Sequence, residues 1–136
     1  MRYKFLEHTA DIGLKVWGKN REELFANAAY GLTEILIEGK VEEKEKVIIS
    51  LKADTIDELF HDWLSEINYF FLCKEIIFHN INVQVSYEND LKAVCYGEKY
   101  NPKIHSCITE IKAITYHQLY VKFLNDQWTA QVYFDL

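Results

Sequence analysis

Apolar and polar positions alternate with period two near both ends of the chain and follow a helical period between them. Tyr3 and Phe5, then Leu14 and Val16, alternate with polar neighbours and predict two short strands flanking an EHTADIG loop. A helix follows. Leu24, Ala28, Leu32 and Ile35, with Phe25, Ala29 and Leu36 beside them, form one apolar stripe at helical spacing, and Gly39 is expected to end it. Asn20 with Glu23 three positions on has the spacing of an N-cap and capping box. The stretch from Val41 to Lys46 is rich in charge, and Val47 to Leu51 reads as a short apolar strand. Thr55 and Glu58 repeat the capping-box spacing, so a second helix starts at Asp54 or Thr55. Its face is Ile56, Leu59, Phe60, Trp63, Leu64, Ile67, Phe70 and Phe71, and these aromatics are expected to pack on a sheet rather than frame a ligand.

From Glu75 onward the period changes to two. Ile81, Val83 and Val85 alternate with Asn82, Gln84 and Ser86; Asn89-Asp90 is a turn; Leu91 to Tyr96 returns as the partner strand. Gly97 to Ser106 reads as a polar loop containing the single proline, Pro102. Ile111, Ala113 and Thr115 are placed on one face of a strand, with Glu110, Lys112 and Ile114 on the other. Leu119, Val121 and Phe123 lead into an Asn125-Asp126 turn. The last strand directs Trp128, Ala130, Val132 and Phe134 inward and Thr129, Gln131, Tyr133 and Asp135 outward. The fold class is therefore α+β, two helices covering one face of a mainly antiparallel sheet, with residues 1–136 as a single domain.

Composition narrows the function classes. A chain of 136 residues is one domain's length and buries a core without disulfides. Fifteen Lys and Arg against 21 Asp and Glu give −6, which argues against a protein whose main business is gripping phosphate backbones. Cys73, Cys95 and Cys107 form no CxxC pair, so neither a zinc ribbon nor a disulfide framework is written here, and they read as small buried apolar groups. The N-terminal stretch carries charges and resembles no signal peptide, and no segment is apolar enough to span a membrane; a cytoplasmic location is expected.

No P-loop, GxSxG, HExxH or glycine-rich dinucleotide turn is present. Three polar segments fit poorly as plain surface: Glu7 to Asp11, Gly97-Glu98 with the loop to His105, and Glu110 to His117, the last followed at the chain end by Asp135. Asp11 and Asp135 are hard oxygen donors suited to a divalent cation, provided the fold brings them together. His8 and Asp11, three apart, are expected to pair as a histidine donating to a neighbouring acceptor rather than to bind zinc. Lys112 by itself reads as a cross-strand or solvated charge, and His105 and His117 as structural.

Taken together and in this order, EHTADIG, Gly97-Glu98 with the loop to His105, EIKAITYH (Glu110 to His117) and the terminal FDL resemble the archease family over the whole chain. Asn101 stands where the family pattern usually has an acidic residue, and Gln118 where a small one is commoner. The resemblance implies a protein that is not itself an enzyme but the partner of an RtcB-type, tRNA-splicing RNA ligase. It would promote guanylylation of the ligase's active-site histidine, permit multiple turnover and broaden nucleotide use. It further implies a cation site at Asp11 and Asp135, with a carbonyl or carboxylate oxygen of Leu136, for calcium foremost and magnesium or manganese otherwise. Lys112 would act at the ligase rather than on the metal. An activator that leaves RNA to the ligase needs no phosphate-neutralising stripe, so no direct nucleic-acid contact and no membrane are expected. Oligomeric state stays open, with outward Tyr120 and Tyr133 as candidates for an interface. Two other classes remain: a metal-dependent phosphodiester hydrolase using Asp11 and Asp135 with His8 or His105 as acid/base, and a chaperone for RNA-modifying enzymes.

Overall fold

The computed structural model describes residues 2–7 and 11–136. Its elements are β1 (Tyr3–Glu7), β2 (Asp11–Gly18), α1 (Arg21–Leu36), β3 (Ile37–Glu38), β4 (Glu45–Lys52), α2 (Ile56–Lys74), β5 (Ile76–Val85), β6 (Asp90–Lys99), β7 (Ser106–Cys107), β8 (Ala113–Ile114), β9 (Tyr120–Leu124) and β10 (Gln127–Asp135). Both helices start where their caps predict. Asn20 accepts from the Glu23 amide at 2.8 Å, and Thr55 Oγ1 from the Glu58 amide at 3.2 Å. The Glu23 carboxylate reaches back to the Lys19 amide at 3.3 Å, one residue before the usual capping-box partner.

The class is α+β and the strand pairs are antiparallel, as expected. The strands nevertheless divide. One sheet runs β1-β2-β10, with β8 and β9 both paired to the far side of β10; a second has the order β4-β6-β5; β3 and β7 make a two-residue bridge. Helix α1 packs against β2 of the first sheet and β5 of the second, and α2 packs on α1 and spans elements of both sheets. The core between them is led by Trp63, Phe25, Phe60 and Phe134, all 0% exposed. Phe25 and Phe60 meet edge to face at 5.2 Å, and the Trp63 indole donates to the Phe25 carbonyl at 2.8 Å, so the helix pair is held by shape and by a satisfied polar tip.

Four local expectations change. Helix α1 stops at Leu36, before Gly39, because Ile37 and Glu38 are drawn into pairing with Cys107 and Ser106. Gly97 and Glu98 lie in β6 rather than in a loop. A Cβ at Gly97 would overlap the Ile77 carbonyl where β5 bulges, so glycine is what allows that close approach. The predicted strand over 110–115 shrinks to Ala113–Ile114: Ile111 and Ile114 are buried and Ala113 exposed, a spacing of three instead of two. Of the cysteines only Cys95 is buried; Cys73 and Cys107 are exposed. No helix is long and apolar enough to cross a membrane among the described residues.

Candidate functional site

Strands β2 and β10 pair in full register from Trp128↔Gly18 to Asp135↔Asp11. Ile12, Leu14 and Val16 on β2 and Ala130, Val132 and Phe134 on β10 point into the core, so Asp11 and Asp135 share the opposite face. Cross-strand partners in such a ladder lie about 4.5–5.5 Å apart between Cα atoms. The Asp11 Oδ1 atom is buried, and the Asp135 residue is exposed. Ala113 of β8 is the register partner of Asp135 on its other side, and the Lys112 amide donates to the Asp135 carbonyl at 2.8 Å. Asp11, Asp135 and the main chain of Lys112 therefore meet at one end of the sheet. Leu136 adjoins them in the chain and is 38% exposed.

The segment carrying Lys112 is held chiefly by α2. Asn68, 6% exposed, donates its amide to the Ile111 carbonyl at 3.0 Å. His61 Nε2 lies 2.8 Å from the Ile114 carbonyl, its Nδ1 lies 3.0 Å from Asp62 Oδ1, and its ring stacks on Tyr116 with centroids 4.0 Å apart. Asp57 Oδ1 accepts from the Val121 amide at 3.1 Å. Burial, then the Asp62 and Glu58 charges, push the Tyr116 hydroxyl above its ordinary pKa. Asp57, His61 and Asn68 recur at helical spacing along the apolar stripe of α2. That recurrence is a signal in the sequence, and reading α2 as apolar alone misses it.

The remaining candidates fall elsewhere. His8 lies outside the described residues. His105, 2% exposed, is a brace: its Nδ1 accepts from the Asn101 amide at 3.0 Å, so Nε2 carries the hydrogen and faces the Lys40 carbonyl at 3.0 Å and Glu98 Oε2 at 3.5 Å. Glu98, 5% exposed, accepts from the Glu42 amide at 2.7 Å. The Gly97-to-His105 segment thus ties the 40–44 loop to β6. His117 is exposed, with its ring centroid 5.9 Å from that of Tyr133. No group of three or more His, Cys, Asp or Glu side chains able to hold a metal gathers among the described residues. The donor set at the sheet end is two carboxylates with main-chain oxygens beside them. Carboxylate and carbonyl oxygens without Cys or His suit a hard divalent cation better than zinc. Two like charges directly opposed on one face are costly, and a bound cation relieves that cost.

Comparison with known proteins bears on the family and the fold. Residues 3–136 match the model of the Archease protein family. The archease of Methanosarcina acetivorans is 39% identical, covering 99% of this chain and 96% of its own, and that of Pyrococcus furiosus is 31% identical, covering 99% of each. The solution structure of Methanobacterium thermoautotrophicum protein 1598 superposes with a TM-score of 0.86 at 27% identity, covering 98% of each chain. The crystal structure of the Thermotoga maritima archease, named a possible chaperone, gives a TM-score of 0.62 at 27% identity, covering 100% of this chain and 98% of its own. Fold, motif order and full-length similarity converge, and the chain belongs to the archease family.

Proposed function

We propose that this protein activates an RtcB-type RNA ligase through the acidic end of its five-stranded sheet. The observation that supports this most is the Asp11↔Asp135 register, which turns two residues 124 positions apart into one donor pair. Asp11, Asp135 and an oxygen of Leu136 would hold a divalent cation, calcium foremost. When bound there, such a cation supplies Lewis-acid charge toward phosphate oxygens. The chain's own part is positional. β2 and β10 fix the two carboxylates, and α2 fixes the 111–115 segment so that Lys112 stands exposed beside them. Lys112 then offers a compact positive charge to a nucleotide phosphate in the ligase's active site. On this reading the protein carries out no chemistry itself; it helps the ligase take up the guanylyl group and cycle.

The test is a turnover assay with the cognate ligase, GTP, Mn²⁺ and excess RNA ends. The ligase alone is expected to stall near one turnover and to cycle when this protein is added, and Asp11→Asn, Asp135→Asn and Lys112→Ala should each remove the stimulation while unfolding cooperatively. Full stimulation by all three variants would sink the proposal. The chaperone reading is separated by the same variants: it expects suppressed aggregation of several unrelated clients, unchanged by Asp135→Asn.

A further inference from the structure

Beyond the acidic row, the outward face of the five-stranded sheet changes character. Across β1, β2, β10 and β9 one row reads Lys4, Lys15, Gln131, Tyr120, and the next reads Trp17, Thr129, Lys122. These seven positions share the face opposite the core because their neighbours Leu14, Val16, Ala130 and Val132 are 0% exposed; Thr129, expected to be open on that face, is only 5% exposed, so the accessible surface is formed by the other six. Cations and aromatics alternate in a checkerboard. Lys15 faces Tyr120 across Gln131, and Trp17 faces Lys122 across Thr129, so that each aromatic has a lysine both beside it on its own strand and two strands away. The Lys122 ammonium lies 4.8 Å from the Tyr120 ring centroid, and the Lys15 ammonium 5.8 Å from that of Trp17. In a chain of net charge −6, neither row contains a carboxylate.

We propose that this face binds single-stranded nucleic acid. Its occupant follows from charge and shape. Half-buried rings on a flat, twisted sheet offer stacking platforms for bases, and an ammonium next to each ring is placed for the phosphate of the same nucleotide. A duplex presents its bases edge-on and fits such a face poorly. An acidic protein surface would use the lysines and leave the rings idle. The overall charge predicts only that no chain-wide phosphate grip exists; it does not describe three lysines gathered on one sheet face. The inference stands apart from the cation site, so binding is measured in EDTA, where failure of the activator reading leaves it untouched.

The experiment is fluorescence anisotropy with a labelled oligouridylate and the full chain. Three neutralised phosphates give a salt slope of about −2 for a single strand, so affinity should fall roughly 20-fold between about 50 and 200 mM KCl. Lys15→Ala with Lys122→Ala should cut that fall to about two- to threefold. Trp17→Leu and Tyr120→Ala should each weaken binding at least about fivefold at fixed salt through lost stacking. Trp17 is half-buried, so if Trp17→Leu fails to fold, Tyr120→Ala carries that arm. Lys46→Ala with Lys52→Ala, on the other sheet, should leave affinity unchanged. The proposal is overturned by absence of binding at about 50 mM salt, or by heparin or polyglutamate competing as well per charge as the oligonucleotide, which would mark a generic anion surface.

Discussion

Replacing Asp135 by Asn separates what the acidic pair costs from what it does. The two carboxylates oppose each other across the β2–β10 ladder on one face. Favourable cross-strand pairs are worth about 0.2–1 kcal/mol, and like charges directly opposite each other are destabilising. Coulomb's law at the dielectric of water, with the groups roughly 6 Å apart, gives about 0.7 kcal/mol, and the exposure of Asp135 keeps the pair near that limit. Asp135→Asn keeps the shape and removes one charge. In EDTA the variant should therefore be more stable than the parent by about 0.5–1 kcal/mol, or about 2–4 °C in Tm for a domain of this length. With a divalent cation at about one hundred times its Kd the parent gains about 2.7 kcal/mol, close to 10 °C, and the variant gains a small fraction of that. The order of stabilities reverses between the two buffers. Calorimetry in EDTA and against calcium, magnesium and manganese series reads both terms. A variant less stable than the parent in EDTA would mean that Asp135 is a structural acceptor, and a parent that no cation stabilises would refute the site outright.

Asn68→Ala deprives the Ile111 carbonyl of its buried donor and should cost about 1–3 kcal/mol in urea unfolding, with ligase stimulation falling further than the loss of folded protein explains. Gly97→Ala forces β5 and β6 apart at the bulge and should lower the urea midpoint with little change in slope. Cys95, 0% exposed and with its thiol pushed up to about 12 by burial, should stay silent toward a thiol reagent at pH 8; Cys73 and Cys107 should react at once, and a third thiol should appear only on unfolding. Burial, then the hydrogen bond and charge of Glu34, raise Tyr3 from 10.0 to about 12, so its contribution to stability is complete below pH 10 and is lost as pH climbs toward 12. Tyr3→Phe should flatten stability against pH in that window, and an unchanged slope would count against the Tyr3–Glu34 bond.

Local chemistry made part of this structure legible and topology hid the rest. Asn20 and Thr55 announce both helix starts because capping is settled within four residues. The β5–β6 hairpin and the inward faces of β10 follow from period two and the Asn89-Asp90 turn. The division into separate sheets does not, since every strand has the same alternation whichever neighbour it finds. Residues 110–115 misled because only Ala113 and Ile114 join the β10 ladder, while α2 holds the Ile111 and Ile114 carbonyls through Asn68 and His61, and a pattern read as a strand cannot show what lies beneath it. The acidic pair lies between these cases. Parity alone puts Asp11 opposite to Leu14 and Val16 in facing, and Asp135 opposite to Phe134, so both point outward. Their meeting requires β2 and β10 to be neighbours, which no local signal states.

Net charge proves a poor guide to this molecule because its two candidate surfaces are farther apart than charge carries in salt. Asp135 and Gln131 are four residues apart on β10, as are Asp11 and Lys15 on β2, which at about 3.4 Å per residue places the acidic row roughly 14 Å from the first lysine row. The Debye length at physiological ionic strength is about 8 Å. Each row therefore sees mostly its own charge, and the −6 total sets neither local potential. One continuous sheet face can thus present a cation-binding end and an anion-binding middle without either cancelling the other. The strand ladder fixes their separation along β2 and β10. On the two proposals together, that separation would let one small acidic protein address a nucleotide-bearing ligase centre from the end of the sheet and an RNA strand from its middle.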